Sequence, residues 1–398
     1  MNAEDFKDSQ TGSVQKTPKG YWAFIPNPLP TSLRIGPDLV QALSMADRSV
    51  GELAGIGRTI PNPHLLIVPF IRREAVLSSR IEGTLASLSD LYAYEAQQLE
   101  LLERPPDVKE VHNYVVALEY GTERLRTLPP SLRFIRELHA KLMAGVRGEH
   151  GTPGEFRRSQ NWIGPPGSTL EDATFVPPPI EEMGEALAEL EEYLHTSPEL
   201  PPLVRLALIH YQFEAIHPFL DGNGRVGRLL IALMLRAWGI LPEHLLYLSA
   251  YFVAHRQQYY DLLLSLSQRG KWDEWLRFFL DGIHIQARDS ITRANRLVLL
   301  RRDFRERTEG HGAARLFQVI EHLFERPIVS VNQLAQSLDM NYQMANRYIQ
   351  RLEDLGILSE VTGQSRNRLF AASEILKVLE EEEPLVEEPE IDVLSETG

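Results

Sequence analysis

The chain of 398 residues contains no cysteine. That absence excludes disulfide bridges, thiolate zinc sites and cysteine nucleophiles, and it suits a reducing compartment. No stretch approaches the roughly 20 apolar residues that a membrane helix needs. The first twenty residues carry early acids and no apolar core, unlike a secretory signal. The expectation is a soluble, cytoplasmic protein with no membrane contact. An excess of basic residues is also missing, since 41 Lys and Arg face 55 Asp and Glu for a net charge of −14. Most of that charge is local. Residues 374–398 hold ten acids against Lys377 alone, so they read as an acidic, disordered, solvating tail on a nearly balanced protein.

What is present is concentrated in one run, His217-Pro218-Phe219-Leu220-Asp221-Gly222-Asn223-Gly224-Arg225-Val226-Gly227-Arg228. A base, a carboxylate, an amide, three glycines and two guanidiniums within twelve residues suit a polyphosphate site. Glycine amides and arginines bind phosphate oxygens, and a carboxylate recruits Mg²⁺. Residues 222–227 also satisfy G-x-G-x-x-G, but the preceding 203–216 reads as helix rather than strand, and no ribose-binding acid follows at the needed distance. A calcium loop starting at Asp221 would need Glu at its twelfth position, which is Ala232. A glycine-rich turn beside a core histidine accounts for the glycines and leaves the other side chains unexplained. Residues 229–238 are apolar on nearly every face, so the glycines should open a buried helix whose free amides and dipole attract anions.

The run resembles the H-x-F-x-[D/E]-G-N-G-R-x-x-R signature of the Fic (Fido) family, whose members mostly transfer AMP from ATP to a protein hydroxyl. The resemblance implies a mainly α fold, a helical core with one β-hairpin flap. It also implies His217, Asn223 and Arg225 as catalytic residues, with His217 the general base. Asp221 would hold Mg²⁺, Asn223 would contact the α-phosphate, and Arg225 and Arg228 the outer phosphates. Phe219 would anchor the loop in the core. A kinase-like subgroup has Lys at the central glycine, so Gly224 points to AMP transfer. Gly154-Glu155-Phe156-Arg157 is similar to a further family element leading into the flap, about 161–177, with strand edges at 161–164 and 173–176. There the target segment would pair by its main chain. Leu248-Ser249-x-Tyr251 and Arg256-x-x-Tyr259-Tyr260 resemble the adenine pocket, with His255 where many relatives have Asn. The ATP site would thus comprise Glu82, Ile163, Gly164, His217, Gly222, Asn223, Gly224, Arg225, Val226, Gly227, Arg228, Tyr259 and Tyr260.

A second element, Ser78-Ser79-Arg80-Ile81-Glu82-Gly83, resembles the family's inhibitory motif [S/T]-x-x-x-E-[G/N]. Ser78 and Glu82 are four apart and share a helix face, and Gly83 can end the helix. The implied brake is Glu82 paired with Arg228 in place of the γ-phosphate. Self-modification and removal of AMP are both compatible with such a site.

The expected organisation is a polar segment at 1–30, mobile over 1–20, and a helical extension carrying the brake at 31–107, broken near Pro61–Pro63. The catalytic core follows at 108–290, a winged helix-turn-helix at 310–372 and the tail from 374. The third helix of the winged unit, 341–355, would expose Gln343, Asn346, Arg347, Gln350 and Arg351, residue types that read nucleic acid. Yet six Arg face six acids between 311 and 370, so DNA binding through 341–370, protein docking and homodimerisation are alternatives for that surface. The competing function is a nucleotide-sensing transcriptional regulator.

Overall fold

The computed structural model describes residues 1–59, 64–97, 106–146, 152–165, 167–196, 199–308, 313–364 and 366–381. A 3₁₀ turn at Ala3–Phe6 leads into β1 (Gly12–Lys16) and β2 (Trp22–Pro26). The helical extension is α1 (Pro37–Thr59), α2 (His64–Ile81), α3 (Leu88–Gln97) and α4 (Pro106–Arg124). Next come α5 (Leu132–Leu142), α6 (Ile180–His195), α7 (Pro202–Ile216) and α8 (Asn223–Ala237). The helices α9 (Ser249–Ala254), α10 (Arg256–Arg269) and α11 (Trp272–Arg307) complete the core. The C-terminal part is α12 (Ala313–Glu325), β3 (Ile328–Ser330), α13 (Val331–Ser337), α14 (Tyr342–Asp354), β4 (Ser359–Glu360), β5 (Leu369–Ala371) and α15 (Ser373–Glu380). Among the described residues, no helix is long and apolar enough to cross a membrane.

The centre is α7 against α8, and almost every side chain of both is buried. Neither helix has a polar face to give to water, so each must be surrounded. Helix α11, 36 residues and so about 54 Å long at ~1.5 Å per residue, runs along α1 and closes one side.

Four expectations need correction. Residues 1–30 are not a loose polar arm. β1 and β2 pair antiparallel from Gly12↔Pro26 to Lys16↔Trp22. Phe6 and Phe24 are buried with ring centroids 5.8 Å apart, and Phe24 lies 5.5 Å from Phe175. Alternation over so few residues hid a strand whose apolar face is little more than one phenylalanine. The flap is not a two-stranded ladder either. It holds one antiparallel bridge, Ile163↔Phe175, closed by N–H bonds of 2.8 and 3.0 Å. Beyond it the prolines at 165 and 177–179 have no N–H to continue the pairing. We refer to it as the arm. The acidic tail starts later than residue 374, because α15 buries Ile375, Leu376, Val378 and Leu379; 382–398 lies outside the described residues. The fourth correction concerns several site residues and is described below.

The C-terminal part runs helix, strand, two helices, two strands and a last helix. Ser330 caps α13 by accepting from Gln333 N at 3.2 Å, and Asn341 caps α14 through Met344 N at 2.8 Å. The antiparallel sheet has the order β3-β5-β4. This part packs directly on the helical extension, α12 and α15 on α2 and β3 on α3. Arg293 on α11 is 1% exposed. It donates to Val378 O and, at 2.6 Å, to Glu381 O at the end of α15. It also pairs with Asp289 at 2.8 Å, and Asp289 in turn meets Arg73 of α2 at 3.6 Å.

Candidate active site

Helix α7 ends at His217, which adopts left-handed φ 48°, ψ 60°. Left-handed backbone costs a non-glycine residue roughly 1–2 kcal/mol, and it turns the chain out of the helix so that the imidazole leaves the α7 face. His217 Nδ1 lies 3.3 Å from Glu214 O. A proton on Nδ1 donated to that carbonyl leaves Nε2 with a free lone pair. Burial lowers the His217 pKa to about 4, so the ring is neutral near pH 7 and fit to accept a proton.

From His217 the chain loops to α8, whose N-cap Gly222 is left-handed at φ 81°. A Cβ there would come within 2.9 Å of Met143 Sδ. The N–H groups of Asn223, Gly224 and Arg225 lie in the first turn and have no intrahelical acceptor, so the helix end is an anion site. Phe219 fixes the loop, being fully buried and stacked on His139 with ring centroids 3.7 Å apart. His139 Nδ1 accepts from Gly154 N at 2.8 Å, so its Nε2–H donates to Asp221 O at 3.0 Å. Asp221 accepts from Gly222 N at 2.6 Å, and its side chain is 48% exposed.

Ser78 and Glu82 both contact Arg228. Arg228 is buried, donating through Nε to Ser78 Oγ at 2.8 Å and through Nη2 to Ser78 O at 3.0 Å and Glu82 Oε1 at 2.6 Å. Glu82 stands just past the end of α2, and Gly83 at φ 96° turns the chain away. Its side chain is 36% exposed although protein surrounds it, because it faces the cleft. Desolvation raises the Glu82 pKa, but the Arg228 charge outweighs it and holds the carboxyl below the usual range. The neighbouring Glu214 is pushed up to about 8, by burial above all. Glu82 is thus the carboxylate that neutralises Arg228 near pH 7. A Cβ on Gly224 would lie 2.3 Å from Glu82 Oε1, so glycine is what lets the carboxylate reach the helix end.

Several candidates do other work than expected. Arg225 is buried against Glu110 of α4 at 3.2 Å, with side chains 4% and 5% exposed, so its charge is already matched by a carboxylate absent from the sequence reading. Both heteroatoms of the Asn223 amide hold the Phe219 main chain at 2.9 Å, leaving at most one amide hydrogen for a phosphate. Val226 is buried, and Gly227 faces α7, where a Cβ would meet Glu214 Oε1 at 2.4 Å. These two serve helix packing. Tyr259 is a core residue, 1% exposed and bonded through its hydroxyl to His210 at 2.8 Å. Ser249 is equally buried and donates to Glu74. Tyr260, 39% exposed, stays at the opening with its hydroxyl 3.5 Å from Ile81 O. Ile163 and Gly164 sit exposed on the arm.

The stretches that hold Glu82 and the loop at 217–228 match known proteins. Residues 40–123 match the Fic/DOC family N-terminal region and residues 129–235 the Fic/DOC family domain. Within 40–235, then, the chain is similar to the Fic/DOC family in two consecutive stretches. It is 30% identical over 181 residues to the protein adenylyltransferase Fic of Drosophila grimshawi and likewise to that of Drosophila virilis. Each match covers 43% of this chain and 33% of the relative, so the chain spans about a third of the length of these curated relatives. A Fic family protein from Desulfovibrio desulfuricans has a similar fold, with a TM-score of 0.55 at 20% identity over 85% of this chain and 97% of that one. The Fic match ends at residue 235, and it contains the loop, both caps of the helix turn and Arg228.

Proposed function

We propose that this chain transfers AMP from ATP to a hydroxyl side chain of a protein, releasing pyrophosphate, and that Glu82 restrains it. The observation that carries the reading is the neutral imidazole of His217, with Nε2 free, beside the unpaired amides that open α8. His217 would take the proton from a Tyr, Thr or Ser hydroxyl, whose oxygen attacks the α-phosphorus as pyrophosphate departs. A positioned base is worth roughly 10²–10⁴-fold. The amides of Asn223, Gly224 and Arg225 would hold the phosphate oxygens where charge builds up.

Asp221 fits Mg²⁺ in the mode that uses one carboxylate together with phosphate oxygens and water. Its side chain is half-exposed, and the described residues contain no cluster of three or more His, Asp or Glu that would build an all-protein cage. Bound there, the ion would neutralise triphosphate charge.

Arg228 is the guanidinium left to meet the γ-phosphate, and in the restrained state Glu82 occupies it. ATP could enter with its triphosphate bent from in-line geometry. The arm, with its single bridge, would take the target segment beside His217 by main-chain pairing. Self-modification follows naturally from such a docking edge.

The test is to incubate the Glu82→Gly protein with ATP and look for AMP added to protein by mass spectrometry, with a Glu82→Gly/His217→Ala double variant as control. We expect His217-dependent addition. Its absence removes the transferase reading. The second reading, a nucleotide-sensing regulator, has one observation in its favour: residues 313–371 have winged-helix element order, and a groove of about 720 Å³ there is lined by Arg347, Gln350 and Arg351. A sensor, however, needs neither the base nor the carboxylate at 221.

A further inference from the structure

Arg157 is one of the largest fully buried side chains of the protein. Among the described residues no carboxylate pairs with it, and burial lowers its pKa to about 10. An unpaired buried guanidinium is costly unless its N–H groups are satisfied. Here they are satisfied by main-chain carbonyls from three separate segments. Nε donates to His217 O at 3.1 Å, Nη1 to Ser159 O at 3.4 Å and Nη2 to Pro178 O at 2.5 Å. Its own N–H donates to Pro218 O at 2.9 Å. Ser159 and Pro178 are the two roots of the arm, and His217 is the base. Asn161 reinforces the junction, donating through Nδ2 to His217 O at 3.1 Å and Phe219 O at 2.8 Å. The left-handed backbone of His217 aims its carbonyl at these two donors.

We propose that Arg157, assisted by Asn161, is a positioning residue that sets the register between the docking edge of the arm and the imidazole of His217. It touches neither ATP nor the target. It fixes how far the bridge at Ile163 stands from the base, and so which residue of a paired segment presents its hydroxyl to Nε2. Strand side chains advance about 3.3 Å per residue and alternate faces, whereas proton transfer needs contact at roughly 3 Å. A small shift at the arm roots therefore removes the hydroxyl from reach. Lysine at 157 could keep the charge but would lose the fork that spans three carbonyls.

The inference rests on the transferase reading, and the experiment separates the two. In the Glu82→Gly background, Arg157→Lys and Asn161→Ala are compared with the parent for self-incorporation of AMP at saturating ATP. Peptide mapping identifies the modified hydroxyls, and affinity for a non-hydrolysable ATP analogue and the melting temperature are also measured. We expect kcat to fall on the order of 10–100-fold with AMP spread over neighbouring hydroxyls, while analogue affinity stays within about twofold, since the helix-end amides are untouched. Asn161→Ala keeps the inference testable if Arg157→Lys fails to fold. Parent-like rates and an unchanged modification pattern would overturn it, and so would loss of analogue affinity in step with activity. A parent that adds no AMP sinks the transferase reading instead.

Discussion

Replacing Glu82 by glutamine removes one charge and almost no volume. The contact weakened is a 2.6 Å bond from a guanidinium that is 2% exposed, since the glutamine oxygen can still accept but carries no charge. A hydrogen bond to a charged group is worth about 1.5–3 kcal/mol. The carboxylate is 36% exposed to the cleft, so solvent screening places the value near the lower end, about 1.5–2 kcal/mol. At ~1.4 kcal/mol per tenfold, Glu82→Gln should raise the initial rate of AMP incorporation on the order of 10–30-fold. Ser78→Ala should do less, since Arg228 keeps both Glu82 and the Ser78 carbonyl. The Ser78 hydroxyl carries no charge of its own, so its bond from the Arg228 guanidinium sits at the low end of the charged-group range, about 1.5 kcal/mol, or roughly tenfold at most. The assay is incorporation of α-labelled phosphate at saturating ATP over short times. Equal rates for wild type and Glu82→Gln, in a preparation where Glu82→Gly is active, would refute the electrostatic account of the brake and leave only a steric one.

With its pKa lowered to about 4 by burial, His217 keeps Nε2 free well below the ordinary histidine range. The acid limb of kcat/KM for the unrestrained variant should fall near pH 4 rather than near 6.5, as a pH–rate profile would show. Glu82, held low by Arg228, keeps its pairing above the ordinary glutamate range and loses it only as pH falls through the lowered value. The activity ratio of Glu82→Gln to wild type should therefore be flat between about pH 6 and 8. Asp221→Asn should move the Mg²⁺ titration of activity to higher concentration and change unfolding free energy by no more than about 0.5 kcal/mol, because the side chain is half-exposed. Phe219→Ala should cost about 3–5 kcal/mol in denaturant unfolding, since it empties a fully buried site against His139.

The loop at 217–228 and the motif at 78–83 were legible because their chemistry is local, with all the informative residues inside one turn. The long helices were legible through apolar periodicity. What the sequence hid was whatever depends on distant partners. Glu110 and His139 reach the loop from α4 and α5, and nothing around either marks it out from an ordinary helical residue. Tyr259 and Tyr260 are adjacent, so on a helix they point about 100° apart; one went to the core and the other to the opening. Val226 and Gly227 look like phosphate-binding residues in a string, but the helix buries Val226 and turns Gly227 toward α7. α15 was concealed by charge: its acids lie on the outer face of a short helix whose inner face is apolar.

The Arg293–Asp289–Arg73 chain ties the end of α15 to the body of α2, the helix that carries Ser78. That helix, which contacts Arg228 through Ser78, is therefore braced by residues more than a hundred positions beyond the end of the Fic match. A fragment trimmed to residues 40–235 would take Asp289 away from Arg73 and strip α12 and α15 from α2. Under the proposed restraint by Glu82, kinetics measured on such a fragment would describe a slackened tether.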